Sequence, residues 1–415
     1  MARQLLHSPL IILHLSLILT LSPQSLQQRL SPVDLAALRS IKDSLTDLPG
    51  SHFFSTWDFA SSRNPCSTFL GLTCSSSSTL ARVTALSLGP SLAGSLPASI
   101  SVLSELTQLI LSPGIITGRI PPELGRLTRL RVISLPHNRL TGPIPASFSA
   151  LRNLHTLDLS HNLISGTIPT GTTALPHLKV LILSSNRLSG GIPPVVTQLL
   201  HLDAKKNRLI GRIPQLPSTL RYLSLSENYL WGQLTEFNSA SFPELAYLDL
   251  SMNRLSGPIP ASLFSRPTVL SSMLLQRNYL SGVVPTTSPR GESYGPGSIV
   301  DLSHNALTGK LPPILAGVET LFLNHNRLIG PVPEEYVRSV SEGTTRTLYL
   351  QHNYLTGFPL ERGMAVPDSV SLCLSYNCMV PPVGLSGCPA SAGAQLSRPA
   401  WQCSLPIGST AQSRG

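Results

Sequence analysis

Leucines and isoleucines recur along the chain in a fixed frame with asparagine, glycine and proline. LDLSHNLISGTIP begins at Leu157 and LDLSMNRLSGPIP at Leu248, and both fit LxLxxNxLxGxIP. The asparagine of the frame falls at Asn138, Asn162, Asn186, Asn207, Asn228, Asn253, Asn278, Asn305, Asn326 and Asn353, at intervals of 21 to 27 residues. A degenerate copy around Leu109 has Gly114 in place of the asparagine, another around Leu86 is one residue short, and LCLSYNCM carries Asn377 in frame. About thirteen units cover residues 83–380, roughly 70% of the chain. Such a period marks a repeat architecture.

Each letter of the frame has a physical role. Leu157 and Leu159 alternate along a short strand and so point to one side. The later Leu and the Ile before Pro turn inward as well. One unit cannot bury these residues alone, so units must stack. An inward asparagine satisfies backbone groups left free where the strand turns, and stacked copies form a ladder. Gly142, Gly166 and Gly190 suit a bend, and the following Pro ends strand pairing. The predicted fold is an α/β solenoid: a right-handed superhelix with a concave parallel β-sheet and a 3-10 or irregular convex side.

A solenoid needs capped ends. PVDLAALRSIKDSL predicts an amphipathic helix through Leu35, Leu38, Ile41 and Leu45, which would cover the first unit with Trp57 and the 66–74 loop. The six cysteines lie only at the ends: Cys66 and Cys74, then Cys373, Cys378, Cys388 and Cys403. They read as disulfides, with Cys66–Cys74 a natural pair and three pairings open for the other four. No Cys or His spacing suits zinc, and no metal or other cofactor is expected.

The first residues, with Arg3 followed by an apolar stretch from Leu5 to Leu21 and small residues Ser22 and Ser25, predict a secretory signal peptide over 1–25. A signal anchor is the rival reading. The expected organisation is signal peptide 1–25, N-terminal cap 26–82, solenoid 83–372, and Cys-bearing cap with a loose tail 373–415. No later segment is apolar for long enough to span a bilayer and the polar tail gives no lipid-anchor signal, so a secreted protein of the apoplast or cell wall is expected. No N-x-[ST] sequon occurs.

Composition narrows the function classes. Hydrophobic residues are 41% and charged residues 12%, which excludes a disordered chain; the 37 prolines exclude a coiled coil. The net charge of +10 is scattered rather than clustered, and no nucleic-acid motif accompanies it. GESYG at Gly291–Gly295 matches the G-x-S-x-G nucleophile pattern, but it sits in a Pro/Gly-rich insert without strand or helix, so Ser293 is not expected to act. No P-loop, HExxH or dinucleotide fingerprint is present, and no enzyme activity is expected.

These residues resemble the plant-type extracellular leucine-rich repeat family, through LxGxIP in a 24-residue unit and the cap frame DLAALRSIKDSL…W…C…GLTC. The likeness covers nearly all the expected mature chain. It departs from receptor kinases of the family in lacking a membrane span and a kinase domain, and from its caps in having Phe69 near a usual Trp. It implies the ectodomain of a receptor-like protein or a free secreted repeat protein, with functions in the family ranging from peptide perception to inhibition of wall-degrading enzymes.

Four residues before each asparagine the concave strands carry an outward row. Its aspartates belong to the common LDLS phrase. Its apolar members Ile182, Leu274, Phe322 and Tyr349 are candidate ligand contacts, with Phe322 and Tyr349 on adjacent strands about 5 Å apart. Histidine precedes the asparagine at His137, His161, His304, His325 and His352. Arginine follows it at Arg139, Arg187, Arg208, Arg254 and Arg327, interleaved with Tyr229, Tyr279 and Tyr354. The Arg/Tyr stripe is a candidate for a polyanion such as pectate, and the His row is expected to gain charge between pH 7 and 5 and strengthen that binding. Two long units, with PTTSPRGESYGPGS and EEYVRSVSEGTTRT, are expected to emerge as loops and favour the C-terminal half as the contact region. The leading expectation is recognition of a protein or peptide, with a membrane receptor kinase among the partners, in extracellular signalling or plant defence. The alternative is a polygalacturonase-inhibitor-like protein or a pectin-associated wall protein.

Overall fold

A computed structural model of the chain describes residues 29–62, 64–75, 80–239, 242–286, 293–360, 365–380, 388 and 396–404. The expected signal peptide and the tail beyond 404 lie outside the described residues. The long coil of the solenoid is built as its frame requires. A fourteen-stranded sheet runs the length of the concave side. Its first strand, Leu72–Cys74, pairs antiparallel with Val83–Leu88, and every later neighbour is parallel. Thirteen parallel strands therefore match the thirteen units of the frame. The frame leucines are buried throughout, with Leu157, Leu159, Leu248, Leu250, Leu348 and Leu350 at 0% exposure. Each contributes about 1.5–3 kcal/mol through burial against the coils above and below.

The asparagines line up as the frame predicts. Asn162 Oδ1 accepts the Leu140 N–H at 3.0 Å, while its Nδ2 donates to Leu135, Leu159 and Ser160 carbonyls. The same set recurs at Asn253 and Asn377. Each asparagine thus satisfies backbone groups of two coils. The residue before it turns the chain through left-handed backbone, with φ of 52° at His137 and His161 and 55° at Met252.

After the turn the chain enters a second, lateral sheet of ten strands from Thr141–Gly142 to Tyr354–Gly357. Glycines of the frame hold positive φ there, for example Gly232 at 95°. The convex side carries short 3-10 turns such as Pro122–Arg126 and Ala146–Ala150. The insert expected as a second loop is instead a helix, Glu334–Ser341. Its Tyr336 is wholly buried and donates its hydroxyl to the Pro312 carbonyl at 2.7 Å. It belongs to the convex side, away from the face that carries Phe322. In the other insert, residues 287–292 lie outside the described residues. Ser293 is exposed, and no helix follows it; the next strand is Ile299–Asp301.

The predicted cap helix spans Pro32–Ser44. Leu38 and Ile41 are fully buried, Leu35 is half-buried, and Leu45 is buried in the strand Leu45–Asp47 that pairs with Leu92–Ser95. Trp57 stacks on Phe69 at 5.3 Å and donates its indole N–H to the Leu70 carbonyl at 3.0 Å. Phe69 is therefore a buried partner of the cap tryptophan. Cys66 joins Cys74, Cys373 joins Cys388, and Cys378 joins Cys403. At the C-terminal end the Arg398 guanidinium lies between the Tyr354 and Tyr376 rings, at 4.1 and 4.6 Å. No helix among the described residues is long and apolar enough to cross a membrane.

Candidate functional site

The concave sheet presents side chains from alternate strand positions, and strict parallel register converts each position into a row across coils. The row four before the asparagine runs Asp158, Ile182, Asp203, Ser224, Asp249, Leu274, Asp301, Phe322, Tyr349, with each residue paired to the next. A carboxylate thus stands on every second strand from 158 to 301, about 10 Å apart by strand spacing.

Each carboxylate is oriented from its own strand. Asp158 accepts both the Ser160 N–H and hydroxyl, at 2.9 and 2.7 Å, and Asp249 accepts the same groups of Ser251 at 3.0 and 2.7 Å. Asp203 accepts the Lys205 N–H and Asp301 the Ser303 N–H. These are local Asx-type bonds and use one oxygen; the other oxygen of Asp203 lies 3.7 Å from the Lys205 ammonium, and Asp203 and Asp249 are largely buried. Burial pushes the Asp301 carboxyl above its ordinary range, against the opposing effect of its bonds to Ser303.

Two residues earlier on the strands, a second row carries Val180, His201, Tyr222, Tyr247 and Ser272 in register. His201, Tyr222 and Tyr247 form one continuous stack, with centroids 4.1 and 4.5 Å apart and planes within 4°. Burial lowers the His201 imidazole below its usual range, which keeps it neutral near pH 7, and burial followed by the Asp203 charge raises the Tyr222 phenol. The rings are half-buried, with Asp203 and Asp249 beside them. This ladder is absent from the sequence-based candidates. Its signal was available only by aligning coils at that one column, where three successive units carry His, Tyr and Tyr.

Of the predicted contacts, Phe322 and Tyr349 do meet, edge to face at 5.1 Å. They belong to the same face as the ladder, three and four strands beyond Tyr247. Ile182 and Leu274 stand singly between aspartates. All four are half-buried, with paired strands about 4.8 Å to either side.

The predicted stripes are also rearranged. The histidines do align: His137 stacks on His161 at 4.0 Å, and His304, His325 and His352 stack in series at 4.2 and 4.1 Å. Burial and neighbouring positive charge lower His161, His304 and His325, the last to about 4; burial and then Arg398 lower His352. A charge gain on His161, His304, His325 and His352 is therefore disfavoured relative to a free imidazole. Arg139, Arg187, Arg208, Arg254 and Arg327 are all exposed on the lateral side. They do not form one column of like residues. The lateral register is offset, so Ser189 pairs with Arg208 and Trp231 with Arg254.

Comparisons with known proteins agree with this architecture. Leucine-rich repeat models match residues 127–190 and 244–265, and the leucine-rich repeat N-terminal domain model matches residues 31–75. No curated protein matches the chain. Among solved structures, the TDR receptor is 24% identical at a TM-score of 0.59, covering 72% of this chain, which spans 59% of that receptor chain. A plant ice-binding protein is 26% identical at 0.53, covering 68% of this chain and 96% of its own. The Arabidopsis receptor kinase HAESA ectodomain, solved with an IDA peptide hormone ligand, is 24% identical at 0.50, covering 85% of this chain and 83% of its own. Repeat frame, N-terminal cap and fold agree: the chain carries leucine-rich repeats behind a leucine-rich repeat N-terminal domain, and its fold is similar to that of a plant receptor-kinase ectodomain of leucine-rich repeats.

Proposed function

We propose that the chain is a secreted binding protein that takes an extended peptide, or an extended segment of a protein partner, along its concave sheet. The observation that carries this reading is the His201–Tyr222–Tyr247 stack flanked by Asp203 and Asp249. A continuous aromatic shelf offers apolar area to a chain lying across the strands. Carboxylates on alternate strands, about 10 Å apart, match arginine or lysine side chains at intervals of about three residues in an extended peptide. Phe322, Tyr349 and Leu274 supply a second apolar anchor toward the C-terminal end, and Ile182 one on the other side. Fold alone does not choose the ligand, since the same solenoid serves a peptide receptor and an ice-binding protein. A membrane receptor kinase fits as a further partner in extracellular signalling or defence.

The test is capture of randomised extended peptides by the purified chain. Selected peptides are expected to carry basic residues two to four apart. Asp203→Asn combined with Asp249→Asn is expected to weaken capture at least tenfold, and Tyr222→Ala to do the same. Selection of acidic peptides, or capture indifferent to both changes, overturns the reading.

A further inference from the structure

The lateral sheet carries a patch whose chemistry differs from that of the trough. Arg212, Trp231, Gln233, Thr235, Arg254 and Ser256 line an open cleft of about 490 Å³. Trp231 is 49% exposed and Tyr229 47%, unusual for large rings on a sheet. The Arg212 guanidinium lies over the Trp231 ring at 5.5 Å, and the Arg254 guanidinium over Tyr229 at 5.3 Å. Strand register sets Trp231 directly beside Arg254.

The arginines are held but not neutralised. Gly232, at φ 95°, leaves room for the Arg212 stem; a Cβ there would approach its Cγ to 3.1 Å. Among the described residues neither Arg212 nor Arg254 has a carboxylate partner, the ion pairs involving Arg82, Arg129, Lys205, Lys206, Arg221 and Arg346 instead. Two unpaired guanidiniums flank an exposed indole, and the rest of the wall is amide and hydroxyl.

We propose that this cleft is a subsite for a hexuronate, the carboxylated ring of an acidic polysaccharide. The indole offers a flat apolar surface to the C–H face of a sugar ring. The guanidiniums present forked donors to the carboxylate. Gln233, Thr235 and Ser256 supply donors and acceptors for ring hydroxyls. A peptide fits less well. The strands here are paired on both sides, so there is no free edge for a main chain to join, and the wall has no apolar pit for a side chain. Arg254 belongs to the stripe visible in the frame. Arg212 and Trp231 occupy its unspecified positions and emerge only once the coils are stacked. The subsite shares no residue with the concave trough, so either reading can fail alone.

Trigalacturonate titrated into the purified chain at low salt tests this, by calorimetry and tryptophan fluorescence. Binding that weakens with added salt is expected, together with a fluorescence change that Trp231→Phe removes. Arg212→Gln and Arg254→Gln, singly, are expected to weaken binding several-fold each, with Arg338→Gln on the convex helix as an unaffected charge-matched control. Thermal unfolding of each variant reports its folding. No binding, equal binding of fully methyl-esterified trigalacturonate, equal binding of triglutamate, or indifference to both arginine changes overturns the proposal.

Discussion

At the scale of single residues the solenoid depends on groups with no room for replacement. Asn253 accepts the Leu230 N–H at 3.0 Å and donates to Leu225, Leu250 and Ser251 carbonyls. Asn253→Ala leaves the buried Leu230 N–H unpaired and is expected to cost about 3 kcal/mol in urea unfolding, since each orphaned buried group costs about 1–3 kcal/mol. Asn253→Asp keeps the acceptor but loses the donor, so it is expected to destabilise comparably. Gly114 shows the opposite constraint. A Cβ there would meet the Leu92 carbonyl at 2.6 Å and Asn138 Oδ1 at 3.2 Å, so restoring the frame asparagine at this coil is expected to destabilise it. The residue before each asparagine is constrained by backbone rather than by side chain. Met252, at φ 55° and 47% exposed, tolerates Asn or Gly, whereas Met252→Val places a β-branched residue in left-handed backbone. The Val variant is expected to lower stability by about 1–2 kcal/mol in the same measurement, with Met252→Asn near neutral.

At the scale of elements, the caps decide whether the stacked coils stay closed. Asp34, at 0% exposure, receives the Arg82 Nε–H at 3.0 Å and the Val83 N–H at 2.8 Å, tying the cap helix to the first long strand. Removing one partner of such a pair leaves the other uncompensated. Asp34→Ala is expected to cost about 3 kcal/mol and to open residues 31–82 to limited proteolysis before the central coils. The helix itself was legible in the spacing of Leu38 and Ile41, but Asp34 looks like an ordinary first-turn acid because its partner lies 48 residues away. Strands and asparagine ladder were equally legible, since each coil repeats the same physical requirements. Positions free to vary within the frame were not. The His201–Tyr222–Tyr247 stack depends on which residues three successive units carry at one unspecified column, and the cleft at Trp231 depends on an offset in the lateral register. The Glu334–Ser341 helix was missed for a different reason: its Gly- and Thr-rich continuation resembles a loop, although Tyr336, Val337 and Val340 lie on one buried face.

At the scale of the whole molecule, stacking couples side chains that are far apart in sequence, and histidine makes that coupling sensitive to acid. His161, His304, His325 and His352 all titrate below the ordinary histidine value, because burial disfavours the imidazolium in each; nearby His, Lys or Arg charges add to this. The unfolded chain then binds more protons than the folded chain over the interval between the two values, so folding weakens as the pH falls through it. Stability from this source is complete above about pH 6.5 and is lost toward the folded value of about 4 at His325. Asp301 acts in the opposite sense, since burial raises its carboxyl and favours the folded state as it protonates. Thermal unfolding midpoints are therefore expected to fall between pH 7 and 4.5, and His325→Gln is expected to flatten that slope. A flat profile for the unaltered chain would mean that the stacked imidazoles accept protons as readily as free ones. The same stacking bears on ligands: because these rings resist charging, uronate binding at the lateral cleft is expected to follow salt strongly and to change little between pH 7 and 5, as permanently charged guanidiniums require.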